Sequence, residues 1–590
     1  MSGKRRSSGK PAARAAGQPA AAAVPAPADA PWWVYAAGLF LGLFVVFEIY
    51  QPVLHAPFLF DDLYLPFMDP AFAHRSFRDW VIGVRPLLMF TYWLNYRSVG
   101  PDTTLYHAWN ILQHLTSSLL AWLIVRKLLG RVEEARWRRE VVAAFCGALF
   151  LVHPLQTESV AYVASRSETL SVMLAYGALA IYLYRKSEAV SFPLALGVLA
   201  LSVAGVTSKE HVAVLPGVFV LADMYWGTGP KLKRILHNWK LYAPFLAVGL
   251  AGAAFVSKVL RTASTAGFGM ADLPWNHYFY TQCRAVWVYV RLLFLPYGQN
   301  IDYDFPISRS LLDHGALFGL LGIAALLAAA WYLRKDYPLA SFGIVTFLLL
   351  LAPTSSVVPI KDPLVERRLY LPFIGVLLVL ADFLRRLRIT KAAMSAALGL
   401  VAILLCVATY SRNQVWSNPI SLWQDTADKS PAKSRPRFQL AYALFTAGQC
   451  HQSVQEYRRA ASLFPPDGVL LVDWALAYDC DRQYAPAVEK LKQALAYQPT
   501  AHVYSLIGMM YAKQGLTREA WEALDTAKQI GPSYSMTYVY RGNLRMTEGN
   551  WAEAATEYRM ALKRNPDNTG AREGLASAEV KLRAEAQKQP

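Results

Sequence analysis

The chain has 590 residues, of which 55% are hydrophobic, 13% aromatic and only 17% charged, and its mean hydropathy is +0.23; this is too apolar for a soluble enzyme. Its formal net charge of +18 does not signal nucleic acid. Much of the Lys and Arg lies in short loops between apolar runs, where a polytopic membrane protein carries it.

Residues 1 to 31 are basic, then rich in Ala and Pro, and are expected to be a disordered tail. The apolar run from Trp32 to Tyr50 is distant from the basic cluster Lys4, Arg5, Arg6 and Lys10, and no small-residue cleavage site follows it. It therefore reads as an uncleaved first span with a cytoplasmic N-terminus, not a signal peptide. Further apolar segments follow near 105–125, 141–156, 169–184, 192–207, 212–226, 241–258, 315–332, 340–353, 369–384 and 392–410. Together they suggest about eleven spans, some short. The basic loops "RKLLGRVEEARWRRE", "YRKSE", "KLKRILHNWK", "WYLRKDYP" and "RRLRITK" fall between alternate spans and belong on the cytoplasmic side. This parity holds only if Trp275 to Gly298 does not cross. That segment carries Arg284 and Arg291 on one helical face and reads as a re-entrant or interfacial outer helix. A crossing helix whose arginines face a wet cavity is the alternative.

With that parity the polar segments all fall on the extracytoplasmic side, at span ends. They hold Asp61, Asp62 and Arg85 in the first large loop, and His153, Glu158, Arg166 and Glu168 in "HPLQTESVAYVASRSE". Lys209 and Glu210 stand in "SKEH", Asp302 and Asp304 in "YGQNIDYDFP", and Glu366, Arg367, Arg368 and Tyr370 in "VVPIKDPLVERRLYLP". Charges gather at a membrane margin when they serve a pathway or a site, since each is costly if buried unpaired. His107 and His114, seven apart on one helical face, read as hydrogen-bonded inside the bundle and not as metal ligands.

Beyond a linker at 413–434 the text becomes amphipathic and periodic. Four blocks align over 435–568, with turn positions at Gly448, Arg482, Gly515 and Gly549 and terminal prolines at Pro465, Pro499, Pro532 and Pro566. Small residues recur at Ser453, Ala487, Ala520 and Ala554. This is the tetratricopeptide pattern, paired helices stacked into a solenoid that binds a protein partner. Residues 569–590 read as a polar capping helix and tail. The expected fold is thus all-α: a polytopic membrane bundle over 32–412, then the solenoid. Among the cysteines, Cys146, Cys283, Cys406, Cys450 and Cys480, no zinc or CxxC spacing occurs, and only a Cys450 to Cys480 disulfide stays open.

Six motifs stand in order before the repeats: "FDDLY", "RPLLMFTYWLNY", "LYHAWNILQH", "HPLQTESVAYVASRSETLS", "SKEHVAVLP" and "ERRLYLP". The chain resembles the TMTC family, membrane O-mannosyltransferases with tetratricopeptide repeats, within the wider GT-C glycosyltransferase class. The resemblance implies a polyprenyl-phosphate-linked sugar donor and inverting transfer at the outer membrane face. The absence of any N-x-S/T sequon on the external side fits a bacterial inner membrane.

The residues suit that chemistry. An acceptor hydroxyl loses a proton as it attacks the anomeric carbon, so a carboxylate at the membrane surface is the natural base; Asp61 or Asp62 supplies it, with Asp62 slightly favoured. The departing phosphate calls for arginine, whose planar fork fits it bidentately. Arg367, Arg368 and Arg85 are the candidates, with Arg166 and Lys209 in support, and His153, Glu158, Glu168, Glu210, Asp302, Glu366 and Tyr370 around them. A divalent metal at Asp61 and Asp62 would need further oxygen ligands.

Blander readings stand beside these. Asp61 caps a juxtamembrane helix; His153-Pro154 ends a span, with Glu158 and Glu168 solvated or paired to Arg166; Glu366 to Arg368 form an interfacial anchor. Two other function classes also stay open, a lipid-linked-sugar transporter without transferase chemistry and an envelope scaffold working through its repeats.

Overall fold

Nineteen residues from Trp32 to Tyr50 form a helix with no acidic or basic residue in its end turns. In a computed structural model, which describes residues 31–69, 72, 74–227, 231–262 and 266–587, most of this helix lies outside the protein. Only its end is buried, at Val46, Ile49 and Tyr50, where Asn413 Nδ2 donates to the Ile49 carbonyl at 2.7 Å. An apolar surface so exposed is solvated by lipid. The expected tail at 1–31 lies outside the described residues but for Pro31.

Three described stretches are long and apolar enough to cross a membrane: Trp32–Val53, Asp313–Tyr332 and Lys391–Trp416. A fourth, Arg136–Val152 with Pro154–Ala161, is bent by 46°, where Pro154 lacks the N–H a continuous helix would use. Other segments read as spans are shorter, such as Phe192–Val206, Pro338–Leu351 and Phe373–Leu384. Thr103–Leu129 is long enough, but it buries His107, Asn110, Gln113 and His114. Such polar residues are spent on packing: His107 Nε2 lies 3.2 Å from the Ala56 carbonyl, and His114 bridges Tyr370 Oη at 2.8 Å and the Leu151 carbonyl at 3.0 Å. Pro338–Leu351 meets Phe373–Leu384 at Gly343 and Gly375, where a Cβ on either would come within 2.5 Å of the other's carbonyl oxygen. Any larger residue there would part the two helices.

The Trp275–Phe294 helix packs against Ala316–Tyr332, where Trp287 Nε1 donates to the Gly319 carbonyl at 2.9 Å. Tyr278 Oη donates to the Thr354 carbonyl at 2.6 Å, Gln282 to the Pro363 carbonyl at 2.8 Å, and Tyr289 Oη receives Val365 N–H at 3.1 Å. At its far end the Leu293 carbonyl lies 3.1 Å from His153.

The linker expected at 413–434 is mostly helix. Residues 413–416 complete Lys391–Trp416, and Pro419–Lys429 forms a helix of its own; Trp416, Leu422 and Trp423 are buried and fasten it to the bundle. Four helix pairs follow, from Ser434–Thr446 to Trp551–Arg564, and Thr569–Ala586 covers the last. Ser453, Ala487, Ala520 and Ala554 are fully buried where the paired helices touch. The turn positions take left-handed backbone, with φ of 74°, 76° and 79° at Gly448, Gly515 and Gly549. Arg482 takes it too, at φ 57°, despite the Cβ that makes this costly. Cys450 and Cys480 are joined by a disulfide across the first two repeats, their Cα atoms 5.5 Å apart. Among the described residues the only β-pairing is an isolated bridge between Ala266 and Ile360.

Candidate active site at the bundle margin

The turn Phe60–Tyr64, "FDDLY", is a single 3-10 segment. It opens on Phe60 at φ 49°, strained for a residue with a side chain. Phe60 is held by Trp423, ring centroids 5.3 Å apart, and by Arg435 over its face at 5.8 Å. The two acids that follow have opposite fates. Asp62 is buried: Leu59 N–H donates to Oδ2 at 3.1 Å and Ala164 N–H to Oδ1 at 2.6 Å. Burial, partly offset by these N–H groups, pushes its carboxyl up to about 7. Asp61 is exposed. Its N–H donates to Tyr162 Oη at 2.7 Å, which fixes the backbone below the carboxylate. The cap expected of Asp61 is therefore made by Asp62, and the slight preference for Asp62 as base gives way: a carboxylate occupied by two N–H groups and closed to solvent cannot reach an acceptor.

Three ion pairs stand within one another's fields, and one of them reaches Tyr162. Arg367 donates through Nη1 and its backbone N–H to the two oxygens of buried Glu158, and its guanidinium lies 5.9 Å over the Tyr162 ring. Lys209 bonds Glu168, whose other oxygen lies 3.6 Å from His211 Nε2. Arg85 forks onto Glu210 through two bonds of 2.9 Å. Burial pulls the Lys209 ammonium down despite Glu168. Burial also opposes charge on Glu210, but the Arg85 fork outweighs it and holds the carboxyl below its ordinary range. Burial opposes charge on Arg367 as well, yet Glu158 beside it leaves the guanidinium firmly protonated. Arg85 and Glu210 are the most open pair, 38% and 37% exposed. Such a pair contributes only about 0 to 1 kcal/mol, so Arg85 is the cation most easily lent to an incoming anion.

Other candidates serve as struts. Arg166, fully buried, donates to Asn110 Oδ1 at 3.0 Å, to Asn95 Oδ1 and to the Tyr106 carbonyl at 3.0 Å, between the rings of Tyr92 and Tyr106. It pairs with neither Glu158 nor Glu168. Arg368 turns away from Arg367 to the carbonyls of Asp362 and Pro363, at 2.6 and 2.9 Å, and to Tyr278 Oη at 3.2 Å. The two arginines thus do not flank one phosphate. Glu366 accepts from Gln299, Asn300 N–H and Tyr303 at 2.7, 2.6 and 2.6 Å and fixes the 299–303 loop. His153 receives Leu155 N–H at 3.2 Å, and Tyr370 Oη is spent on His114. Asp302 binds Lys433 of the linker and Arg435 of the first repeat, and Arg435 reaches on to Asp362 at 2.8 Å; Arg435 holds the Asp362 carboxyl below its usual range. No group of three or more His, Cys, Asp or Glu side chains comes together for a metal ion among the described residues. With both Asp62 oxygens taken by N–H groups, the acidic pair does not make the oxygen set a divalent cation needs.

Tyr162, His211 and Arg435 join this site without having been singled out in the sequence. Tyr162 and His211 lie inside the quoted motifs "SVAYVAS" and "SKEH", but nothing local marks them as lining a cleft. Arg435 is brought in from the solenoid.

These features define an all-helical membrane protein with a cluster of charged pairs around Tyr162, to which a tetratricopeptide array is joined through Arg435. No family model matches the chain. A protein O-mannosyl-transferase of Caenorhabditis elegans is 24% identical over 407 residues, 67% of this chain and 54% of that protein. Human protein O-mannosyl-transferase TMTC3 is 20% identical over 568 residues, 87% of this chain and 60% of the human one. Drosophila melanogaster protein O-mannosyl-transferase Tmtc1 is 38% identical over a shorter stretch of 95 residues, 16% of this chain and 10% of that protein. The chain spans about half the length of the curated relatives it matches. Its similarity is thus to the TMTC family over much of its length, as the motifs imply. Among solved structures, the TPR protein YrrB aligns with 29% of this chain and 87% of its own at 14% identity and a TM-score of 0.23. A thermophilic TPR protein of Thermus thermophilus covers 31% and 96% at 19% identity, with a TM-score of 0.25.

Proposed function

We propose that the chain is a GT-C-type glycosyltransferase of about eleven spans that moves a sugar from a polyprenyl-phosphate donor to a hydroxyl of a protein. The reaction takes place at the extracytoplasmic face, in a bacterial inner membrane. The observation that carries this reading is the Asp61 carboxylate, open to solvent on a backbone whose N–H is held by Tyr162, the ring over which Arg367 lies. Asp61 takes the proton of the acceptor hydroxyl as that oxygen attacks the anomeric carbon, and the bond to the donor phosphate breaks with inversion. Arg85, Lys209 and Arg367 meet the charge left on the phosphate, each oriented by its own carboxylate. The array, anchored at Arg435 beside Phe60, presents the acceptor. The disulfide in its first two repeats favours an oxidising compartment, and the similar protein O-mannosyl-transferases suggest the class of sugar transfer.

The test is transfer from a labelled polyprenyl-phosphate hexose to envelope proteins by the reconstituted chain. Asp61→Asn keeps size and polarity but cannot take a proton, so the rate should fall about a hundredfold or more with yield and unfolding temperature unchanged. Full activity in Asp61→Asn would remove the base from the mechanism.

A further inference from the structure

At the other end of the bundle one basic loop, with Tyr184 beside it, borders a hollow. From Tyr106, whose carbonyl holds Arg166 under the cleft, the Thr103–Leu129 helix runs on to Lys127, roughly 30 Å at 1.5 Å per residue, one hydrocarbon thickness. There a cavity of about 400 Å³ is lined by Arg126, Lys127, Gly130, Arg131, Arg139 and Tyr184. Positive charge on cytoplasmic loops serves orientation and needs no convergence. Here four cations face one space, and one carboxylate among them, Glu140, is shared by Arg126 at 2.7 Å and Arg139 at 3.2 Å. Lys127 is held over the Tyr184 ring at 4.9 Å, and Arg131 donates to the Trp226 carbonyl at 3.0 Å. Neither contact cancels a charge. Arg185 and Glu188, both within the field of Arg131, oppose each other. The hollow thus keeps a surplus of positive charge in side chains already held in place.

From Arg126 an aromatic contact leads on to the first span. Arg126 lies 6.0 Å over the Trp122 ring, and Trp122 packs 6.0 Å from Tyr35 of the first span. Trp and Tyr at this depth mark the headgroup level. A molecule seated on the cations would lay its tails along the outward face of Trp32–Val53, most of which the described residues leave uncovered.

We infer that this cavity binds the phosphate of an anionic lipid headgroup on the side opposite the Asp61 cleft. A soluble phosphate ester offers the same anion without the tails. The test uses the full chain, purified and followed by native mass spectrometry in nanodiscs of phosphatidylglycerol or phosphatidylcholine, with glycerol 3-phosphate as soluble competitor. One phosphatidylglycerol should remain bound through delipidation and phosphatidylcholine should not. Lys127→Gln with Arg131→Gln should lower that occupancy at least about tenfold, since each cation near the surface contributes about 1 kcal/mol, while Lys127→Arg with Arg131→Lys should retain it. Equal retention of the two lipids by the unaltered chain overturns the inference, whether or not the Gln variant folds. So does displacement of the lipid by glycerol 3-phosphate at equal concentration, which would assign the hollow to a soluble phosphate ester.

Discussion

The solenoid and the membrane bundle hold themselves together by opposite means. In the solenoid the contacts are apolar and local, with Ala487, Ala520 and Ala554 fully buried at the helix crossings, so each pair leans only on its neighbours. In the bundle near the cleft the joints are polar and distant in sequence: Arg166 binds Asn95 and Asn110, and Glu158 binds Arg367. A bundle surrounded by lipid gains little from burying more apolar surface, so geometry falls to hydrogen bonds and ion pairs. Hence the bundle should fail by losing a polar partner and the solenoid by a change of volume.

The largest effect should come from Arg166→Leu, which fits the space but strands the Asn95, Asn110 and Tyr106 acceptors. A loss of roughly 3 kcal/mol or more, seen as low yield and early thermal unfolding, is expected; a stable variant would deny the polar joint its role. Next is a dependence on pH. Because the Asp62 carboxyl rises to about 7 on folding from an ordinary 3.8, the folded chain holds a proton there that the unfolded chain has lost between these values. Stability at this site should therefore fall as pH climbs from about 4 to 7 and level off above, by an amount on the order of a few kcal/mol. In Asp62→Asn the slope of unfolding temperature between pH 5 and 7 should flatten; an unchanged slope would mean that another group carries it. In the solenoid, Ala487→Leu should cost about 1 to 3 kcal/mol through overpacking, read as a lower denaturation midpoint of the disulfide-intact chain with sugar transfer retained in native conditions. Smallest is Arg482→Gly, which relieves the φ of 57° and should stabilise by about 0.5 to 1 kcal/mol. A loss in that variant would show that the Arg482 side chain is holding its turn.

The same contrast explains what the sequence discloses. The repeat boundaries are legible because the turn and crossing positions recur, so one block predicts the next. The helical nature of 413–434 is not, since its anchors Trp416, Leu422 and Trp423 face partners nowhere near them in the chain. Asp61 and Asp62 are visible as an acidic pair, but which of them faces water is decided by Ala164 N–H, 102 residues away. Arg367 and Arg368 look interchangeable in the sequence; the 3-10 turn at Glu366–Leu369 sends one to Glu158 and the other to the Asp362 carbonyl. Tyr162 and Arg435 enter the cleft through tertiary contacts that no local pattern encodes.

The grip of Asp302 on the first repeat bears on how this protein can be dissected. The carboxylate is only 2% exposed, and both of its cations, Lys433 and Arg435, lie at the start of the array. A truncation before Arg435, where repeat counting alone would cut, strips the buried anion of its two-pronged partner and leaves only Lys433, at the cut end, to balance it, a more costly defect than a missing surface contact. The bundle and the array are therefore not interchangeable modules. A shortened chain meant to isolate the membrane half needs either the helix that carries Arg435 or an uncharged residue at 302.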